Sequence, residues 1–393
     1  MPRFRALGLA AASFSMALGW AAGAQAQQSL KIGLITTLSG PEGVLGAETR
    51  DAFQLALKLR NGMLGGQKVE LVIGDDQTKP DVGRQLADKM MESDRVKIVT
   101  GVIFSNVLLS IAKPVLDNGL VLVSSNAGPS DLAGKQCHAN FFSATWQNDN
   151  SPEAMGAWVE KQGFKRVYIM APNYPAGKDK LAGFKRFFKG EIAGEVYTQF
   201  GQLDYAAEIS QLRAAKPDGV FVFYPGGMGI NFIKQFQQAG LQSQIKLFGE
   251  MSVLDQTTLP AVGEFALGAR TAVFWTPDMD NAANKRFVEA FEREYKREPS
   301  PYAAQAYDTA ALLDAALTAT GGKTDPAVLS PALAAAKFES VRGKFRFNTN
   351  HFPIQDWYSA EVVKSDRGRF TTTVREKIFE DRGDAYVADC KLK

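Results

Sequence analysis

Short apolar runs alternate with longer stretches of helical periodicity along most of the chain. Leu30-Lys31-Ile32-Gly33-Leu34-Ile35 is the first such run and ends in polar turn residues. Residues 49–60 then place Ala52, Phe53, Leu55, Ala56 and Leu59 at the spacing of one helix face. The same alternation predicts strands over 69–73, 96–99 and 120–123, with helices over 81–91 and 107–116 between them. Phe141-Phe142-Ser143-Ala144-Thr145-Trp146 interrupts the rhythm as an extended segment. Gln147-Asn148-Asp149-Asn150 is a polar start for a helix over 152–161. A second set follows, with strands over 166–171, 194–198, 219–224 and 246–248 and helices over 178–189, 206–215 and 229–239. Another extended segment, 269–275, precedes two Ala-rich helices over 283–295 and 302–320. Short strands over 356–363 and 369–374 close the pattern.

Repeated β-then-α units with short Gly, Asn and Asp connections predict an α/β fold, each unit a parallel sheet with helices on both faces. In open parallel sheets, ligands sit beyond the carboxyl ends of the strands. Two such sheets facing each other put two ligand-binding edges across one cleft.

Composition narrows the function. With 45% hydrophobic residues in 393, the chain has enough apolar surface for two sizeable cores. The 45 Lys and Arg against 42 Asp and Glu leave it near neutral, so nucleic acid is not an expected partner. The first residues carry an address. Arg3 and Arg5 give a positive start, 6–22 is apolar and uncharged, and Ala24-Gln25-Ala26 reads as a small-x-small cleavage site. The order is that of a secretory signal over 1–26, with Gln27 as the new N-terminus; a membrane anchor is the alternative, for which the apolar stretch is short. Periplasmic localisation follows. Cys137 and Cys390 are the two cysteines, and export with an even count favours a bridge between them over two buried thiols.

Several chemical motifs are approached and missed. Gly321-Gly322-Lys323-Thr324 ends like a phosphate loop, but the required first glycine would fall at Leu317. No serine lies in a GxSxG elbow. His138 and His351 are the only histidines, and with the two cysteines they never reach metal-ligand spacing. Asp75-Asp76 reads as a strand-end cap, not a calcium loop. A Cys137–His138 nucleophile would need a free thiol that the bridge removes. No cofactor, no metal and no enzymatic activity are expected.

The segment Lys31-Ile32-Gly33-Leu34-Ile35-Thr36-Thr37-Leu38-Ser39-Gly40-Pro41 resembles the opening of type I periplasmic solute-binding proteins, and most closely their Leu/Ile/Val-binding branch. Gly101-Val102-Ile103-Phe104-Ser105-Asn106, Val123-Ser124-Ser125-Asn126-Ala127, Ala171-Pro172-Asn173-Tyr174-Pro175-Ala176-Gly177-Lys178-Asp179 and Ala306-Tyr307-Asp308 extend the likeness over nearly all of the mature chain, in family order. The resemblance implies a monomeric two-lobed clamp with a three-segment hinge. Lobe one would combine 27–145 with 277–355, and lobe two 146–276 with 356–393. A small solute would bind in the cleft, the lobes would close, and the membrane permease of an ATP-driven importer would receive the closed form.

The resemblance also implies a pocket. Ser105, just before a helix, would meet the ligand carboxylate with its hydroxyl and with the helix N-terminus; an ordinary N-cap role is the alternative. Ser125, Asn126 and Ala127 would add backbone N–H groups and side-chain donors. In the amino-acid binders a threonine usually stands where Ala127 falls. Phe104, Trp146, Tyr174, Tyr224 and Trp275 sit at strand ends or crossovers, where they would form the apolar walls; for Phe104 and Trp275 core packing competes closely. Glu250 lies where the amino-acid binders hold an acid against the ligand ammonium. If it faces the cleft, either the ligand is an amino acid or Glu250 pairs with a protein cation. The aromatic walls and Ala127 tilt the expected solute toward a small aromatic carboxylate, with a branched-chain or hydrophobic amino acid as the other choice. A sensor module of the same fold and an exported amidase or hydrolase are the rival functions.

Overall fold

The computed structural model describes residues 1–2 and 29–392. Apart from its first two residues, the export signal read over 1–26 lies outside the described residues. The chain builds two sheets in succession. The first uses β1 (Leu30–Thr36), β2 (Met63–Leu64), β3 (Gln67–Asp75), β4 (Ile98–Gly101), β5 (Val121–Ser124) and β6 (Phe141–Ser143), in the spatial order β2-β3-β1-β4-β5-β6. All its pairings are parallel except the short β2–β3 hairpin. Parallel strands carry helices on both faces, so their side chains are buried on both sides. β4 and β5 accordingly bury every residue, and β1 all but Lys31.

The second sheet uses β7 (Arg166–Pro172), β8 (Glu191–Thr198), β9 (Gly219–Val222), β10 (Lys246–Glu250), β11 (Arg270–Val273), β12 (Arg346–Phe347), β13 (Pro353–Lys364) and β14 (Phe370–Arg382). Its order is β12-β13-β11-β10-β9-β7-β8, with β14 on β13. β7 to β11 pair in parallel, while β13 runs antiparallel to β11, β12 and β14. The second sheet thus keeps the parallel strands read from the sequence and adds the final strands to them antiparallel. The antiparallel strands come from the end of the chain, after it has returned to the first sheet's helices.

The helix Pro175–Phe187 follows β7 and sits very close to it. A Cβ at Gly177 would fall 1.9 Å from the Pro172 carbonyl oxygen, so only glycine allows that approach. This fixes the side chains one turn further on. Cys137 and Cys390 are bridged across a sequence separation of 253 residues, tying the edge of the first sheet to the C-terminal tail. Among the described residues, no helix is long and apolar enough to cross a membrane.

Candidate functional site

Both sheets aim the carboxyl ends of their parallel strands at one small cavity. From the first sheet, the turn after β4 contributes Ile103, Phe104 and Ser105, and the turn after β5 contributes Asn126 and Ala127. From the second, the loop after β7 supplies Tyr174, that after β9 Phe223 and Pro225, and that after β10 Ser252. Trp146 and Asn148 enter from the passage between the sheets, and Tyr302 from the start of the helix Pro301–Ala319. The walls are buried, with Phe104, Lys180 and Tyr302 each 3% exposed or less. Residues from both lobes enclose the space, so the structure is the closed form of the clamp.

One end of the cavity is polar. Ser105 is the first residue of the helix Ser105–Asp117, whose first-turn N–H groups have no acceptor within the helix. That end carries partial positive charge. Ser105 Oγ accepts a hydrogen bond from Asn148 Nδ2 at 3.1 Å, which leaves its own proton for a ligand. The approach to this helix is strained. Val102 has φ 63°, a left-handed conformation that a β-branched residue seldom adopts. It is held there by its N–H to the Ile35 carbonyl (2.7 Å) and by the Ala127 N–H to its own carbonyl (3.1 Å).

That second bond uses a group assigned from sequence to the ligand. The Ala127 N–H stays within the lobe, and so do the Ser125 N–H and hydroxyl, both of which donate to the Gly101 carbonyl at 2.9 and 3.1 Å. Asn126 donates through Nδ2 to the Ile103 carbonyl at 2.7 Å, while its Oδ1 is buried without a partner. Ser125 does not line the cavity; Asn126 and Ala127 do.

The remaining walls are aromatic. Phe104 of the first lobe meets Tyr174 of the second edge-on, with ring centroids 6.3 Å apart. Tyr174 stacks on Phe223 at 6.1 Å. Trp146 packs edge-on against Phe274 at 5.7 Å, and its Nε1–H is buried without an acceptor. Burial first, then the nearby Glu250 charge, hold the Tyr174 phenol proton well above its ordinary range, so this hydroxyl remains a donor. Burial does the same at Tyr302.

Lys180 crosses the second-lobe wall. Its Nζ donates to Glu250 Oε1 at 2.7 Å, with both side chains essentially inaccessible. It also lies 4.3 Å from the Trp146 ring centroid and 5.1 Å from that of Phe223, over both faces. The other Glu250 oxygen accepts from the Ser252 N–H at 2.8 Å and from the Ser252 hydroxyl. Glu250 thus sits behind the wall, paired with a protein cation. Immediately before Lys180 in the helix, Asp179 accepts from Ser130 N (3.0 Å), Ser130 Oγ (2.7 Å) and Asn148 Nδ2 (2.9 Å). Its carboxyl is pushed up to about 6, by burial and then by the Asp149 charge.

Two aromatics assigned to the walls from sequence lie elsewhere. Tyr224 packs into a separate core against Tyr205 (4.9 Å) and Phe232 (5.4 Å). Trp275 donates through Nε1 to Asn284 Oδ1 at 2.7 Å and packs on Phe287. Lys180, Tyr302, Asn148 and Ser252 were not anticipated. For Lys180 a signal existed: Ala176, Lys180 and Phe184 share one helical face, and the flanking two are buried.

Two facing α/β lobes around a buried pocket define a ligand-binding clamp. Residues 29–368 match the periplasmic binding protein family, and the chain belongs to it. A Leu/Ile/Val-binding protein homolog 6 of Brucella melitensis is 28% identical, covering 93% of this chain and 95% of that one. A solute-binding protein of an ABC transporter from R. palustris, solved in complex with benzoate, is 30% identical with a TM-score of 0.88, over 93% of this chain and 100% of the other. A second, from Rhodopseudomonas palustris BisB5 in complex with 3,4-dihydroxybenzoic acid, is 31% identical with a TM-score of 0.85, over 91% and 99%. The chain is a solute-binding protein of the ATP-driven importer type.

Proposed function

We propose that the cavity takes a small aromatic monocarboxylate and that the protein delivers it, chemically unchanged, to an inner-membrane permease from the periplasm after removal of residues 1–26. The observation that carries the reading is the pairing of one polar end, at Ser105 and the helix it opens, with a wall of Phe104, Trp146, Tyr174 and Phe223. The carboxylate would lie against the Ser105 hydroxyl and the N–H groups of the first turn. The ring would fill the space between the aromatic side chains. The buried Trp146 N–H, a donor, and Asn126 Oδ1, an acceptor, are both without protein partners and suit a ring hydroxyl of such a solute, which can accept from one and donate to the other. The two relatives solved with benzoate and with 3,4-dihydroxybenzoic acid favour the same class. Domain limits follow the reading of the sequence, with the lobes meeting near 145, 276 and 355.

Thermal unfolding of the mature chain tests this against benzoate, hydroxybenzoates, leucine, isoleucine, valine and a sugar. A ligand at 100 times its dissociation constant adds about 2.7 kcal/mol. That raises the melting temperature by several degrees, at roughly 2–4 °C per kcal/mol. A rise with the benzoates is expected. A rise only with the branched-chain amino acids would overturn the aromatic-acid reading.

A further inference from the structure

The two charges in the second-lobe wall carry more than a structural pairing. Among the described residues, no aspartate or glutamate lines the cavity, whereas Lys180 does. Glu250 lies behind that wall, and both its oxygens are already filled, one by Lys180 and the other by Ser252. Asp179, filled by Ser130 and Asn148, and Asp255, held on one oxygen by Thr257, are not among the residues that line the space. An ammonium group entering with a ligand would therefore find no anionic acceptor. It would also share a closed, desolvated space with a like charge, and a buried charge without a partner is strongly disfavoured. A carboxylate meets the opposite situation, since Lys180 uses one of its three donors on Glu250 and the rest of its charge faces ring surfaces that attract cations but bind no anion.

We infer that Lys180 is a specificity-determining residue that occupies, with its own ammonium, the place an amino-acid ligand would need, so that the cavity admits aromatic and hydroxy acids and excludes their α-amino counterparts. The inference rests on the carboxylate reading above but is separable from it. The Coulomb preference does not come from Glu250 alone: without Lys180 the same glutamate would present a free carboxylate oxygen to the cleft.

The test compares solutes of matched shape, mandelate with phenylglycine and 3-phenyllactate with phenylalanine, alongside benzoate, by titration calorimetry. In the unaltered protein each hydroxy acid is expected to bind at least about a hundred-fold more tightly than its amino partner. In Lys180→Met, Glu250 Oε1 is released toward the cavity, and phenylglycine and phenylalanine gain affinity so that the ratio falls at least about tenfold. Should that variant fail to fold, Glu250→Gln keeps the shape and leaves the lysine charge uncompensated; the ratio then rises. Equal affinity within a pair in the unaltered protein, an unmoved ratio in Lys180→Met, or a falling ratio in Glu250→Gln overturns the inference while benzoate binding still stands. Failure of benzoate and all four acids to bind overturns the carboxylate reading, and this inference with it.

Discussion

Arg342 donates to the side-chain oxygen of Gln355 at 3.0 Å, and Gln355 in turn donates to the Thr145 carbonyl at 2.8 Å. The same guanidinium reaches the carbonyls of Thr145 and Ala144 and the carboxylate of Asp308. It also lies 5.0 Å from the ring centroid of Phe274. Residues 144–145 follow β6 on the way to the second sheet, Phe274 follows β11 on the way back, and Gln355 lies in β13, so one buried side chain ties both passages to the returning strand. Ala144 and Thr145 offer carbonyls that strand pairing does not use, and a fork of five donors satisfies both while also holding Gln355 and Asp308.

Replacing Arg342 by Met should destabilise the protein by about 3–5 kcal/mol, because Asp308 would be left buried and without its cation. Arg342→Lys restores the charge but not the fork, and should recover only part of that loss. Urea unfolding of the three proteins measures both effects. A loss under about 1 kcal/mol in the Met variant would show that the passages hold together without this hub.

Ser105→Ala should weaken binding of benzoate by about 1–3 kcal/mol, since a charged acceptor loses a hydroxyl donor. The helix it opens should be little affected, because the Ser105 side chain caps no N–H of that helix. Calorimetric titration gives the affinity and a denaturation curve the stability. Unchanged affinity would take Ser105 out of the ligand's reach.

How the site reads from sequence depends on which side of a turn each residue faces. Both sheets were visible because buried parallel strands such as β4 and β5 are unbroken apolar runs. β14 was read as ending at 374, but it continues to Arg382, because an edge strand with Glu376, Lys377 and Glu380 on it looks like a polar loop. The rule that ligands meet strand ends found the right turns but not the right neighbour. Phe223 lines the cavity and Tyr224 the core behind it. Asn126 lines it while Ser125 turns back to Gly101. Successive extended residues face opposite ways, and a single sequence does not say which way comes first. Lys180 was hidden for another reason. A lysine is expected at the surface, and the partner that lets it be buried is 70 residues away.

The Cys137–Cys390 bridge closes a loop of 253 residues, the kind for which chain entropy gives the largest return. The double variant Cys137→Ser, Cys390→Ser should be less stable by about 2–5 kcal/mol. The tail it anchors has other holds, since Asn350 donates to Asp384 at 2.9 Å and the Tyr386 hydroxyl to Asp149 at 2.8 Å. Reduction should therefore loosen residues after 386 before it unfolds the lobes. Amide exchange of the reduced and oxidised proteins distinguishes this local effect, and uniform acceleration across both sheets would contradict it.

Asp179 gives the closed form a pH dependence whose sign can be worked out. Its carboxyl, with an ordinary value of 3.8, is held at about 6 in this structure, by burial and then by Asp149. Between these two values the unfolded chain has released the proton and the folded chain still holds it. Stability from this group is fully present below the unfolded value and is lost as pH rises through about 6. At about 1.4 kcal/mol per pH unit, that is a loss of up to roughly 3 kcal/mol across the window. Asp255 adds to the same trend, because complete burial pushes it up to about 7 and only one of its oxygens is hydrogen-bonded. Other carboxylates titrate nearby, so the informative quantity is a difference. The stability of the unaltered protein minus that of Asp179→Asn should fall between pH 4 and pH 6.5 and stay level above it. A difference that rises with pH would mean that the three donors from Ser130 and Asn148 outweigh burial at Asp179. The bond from the second lobe to Ser130 would then be strongest with the carboxylate ionised.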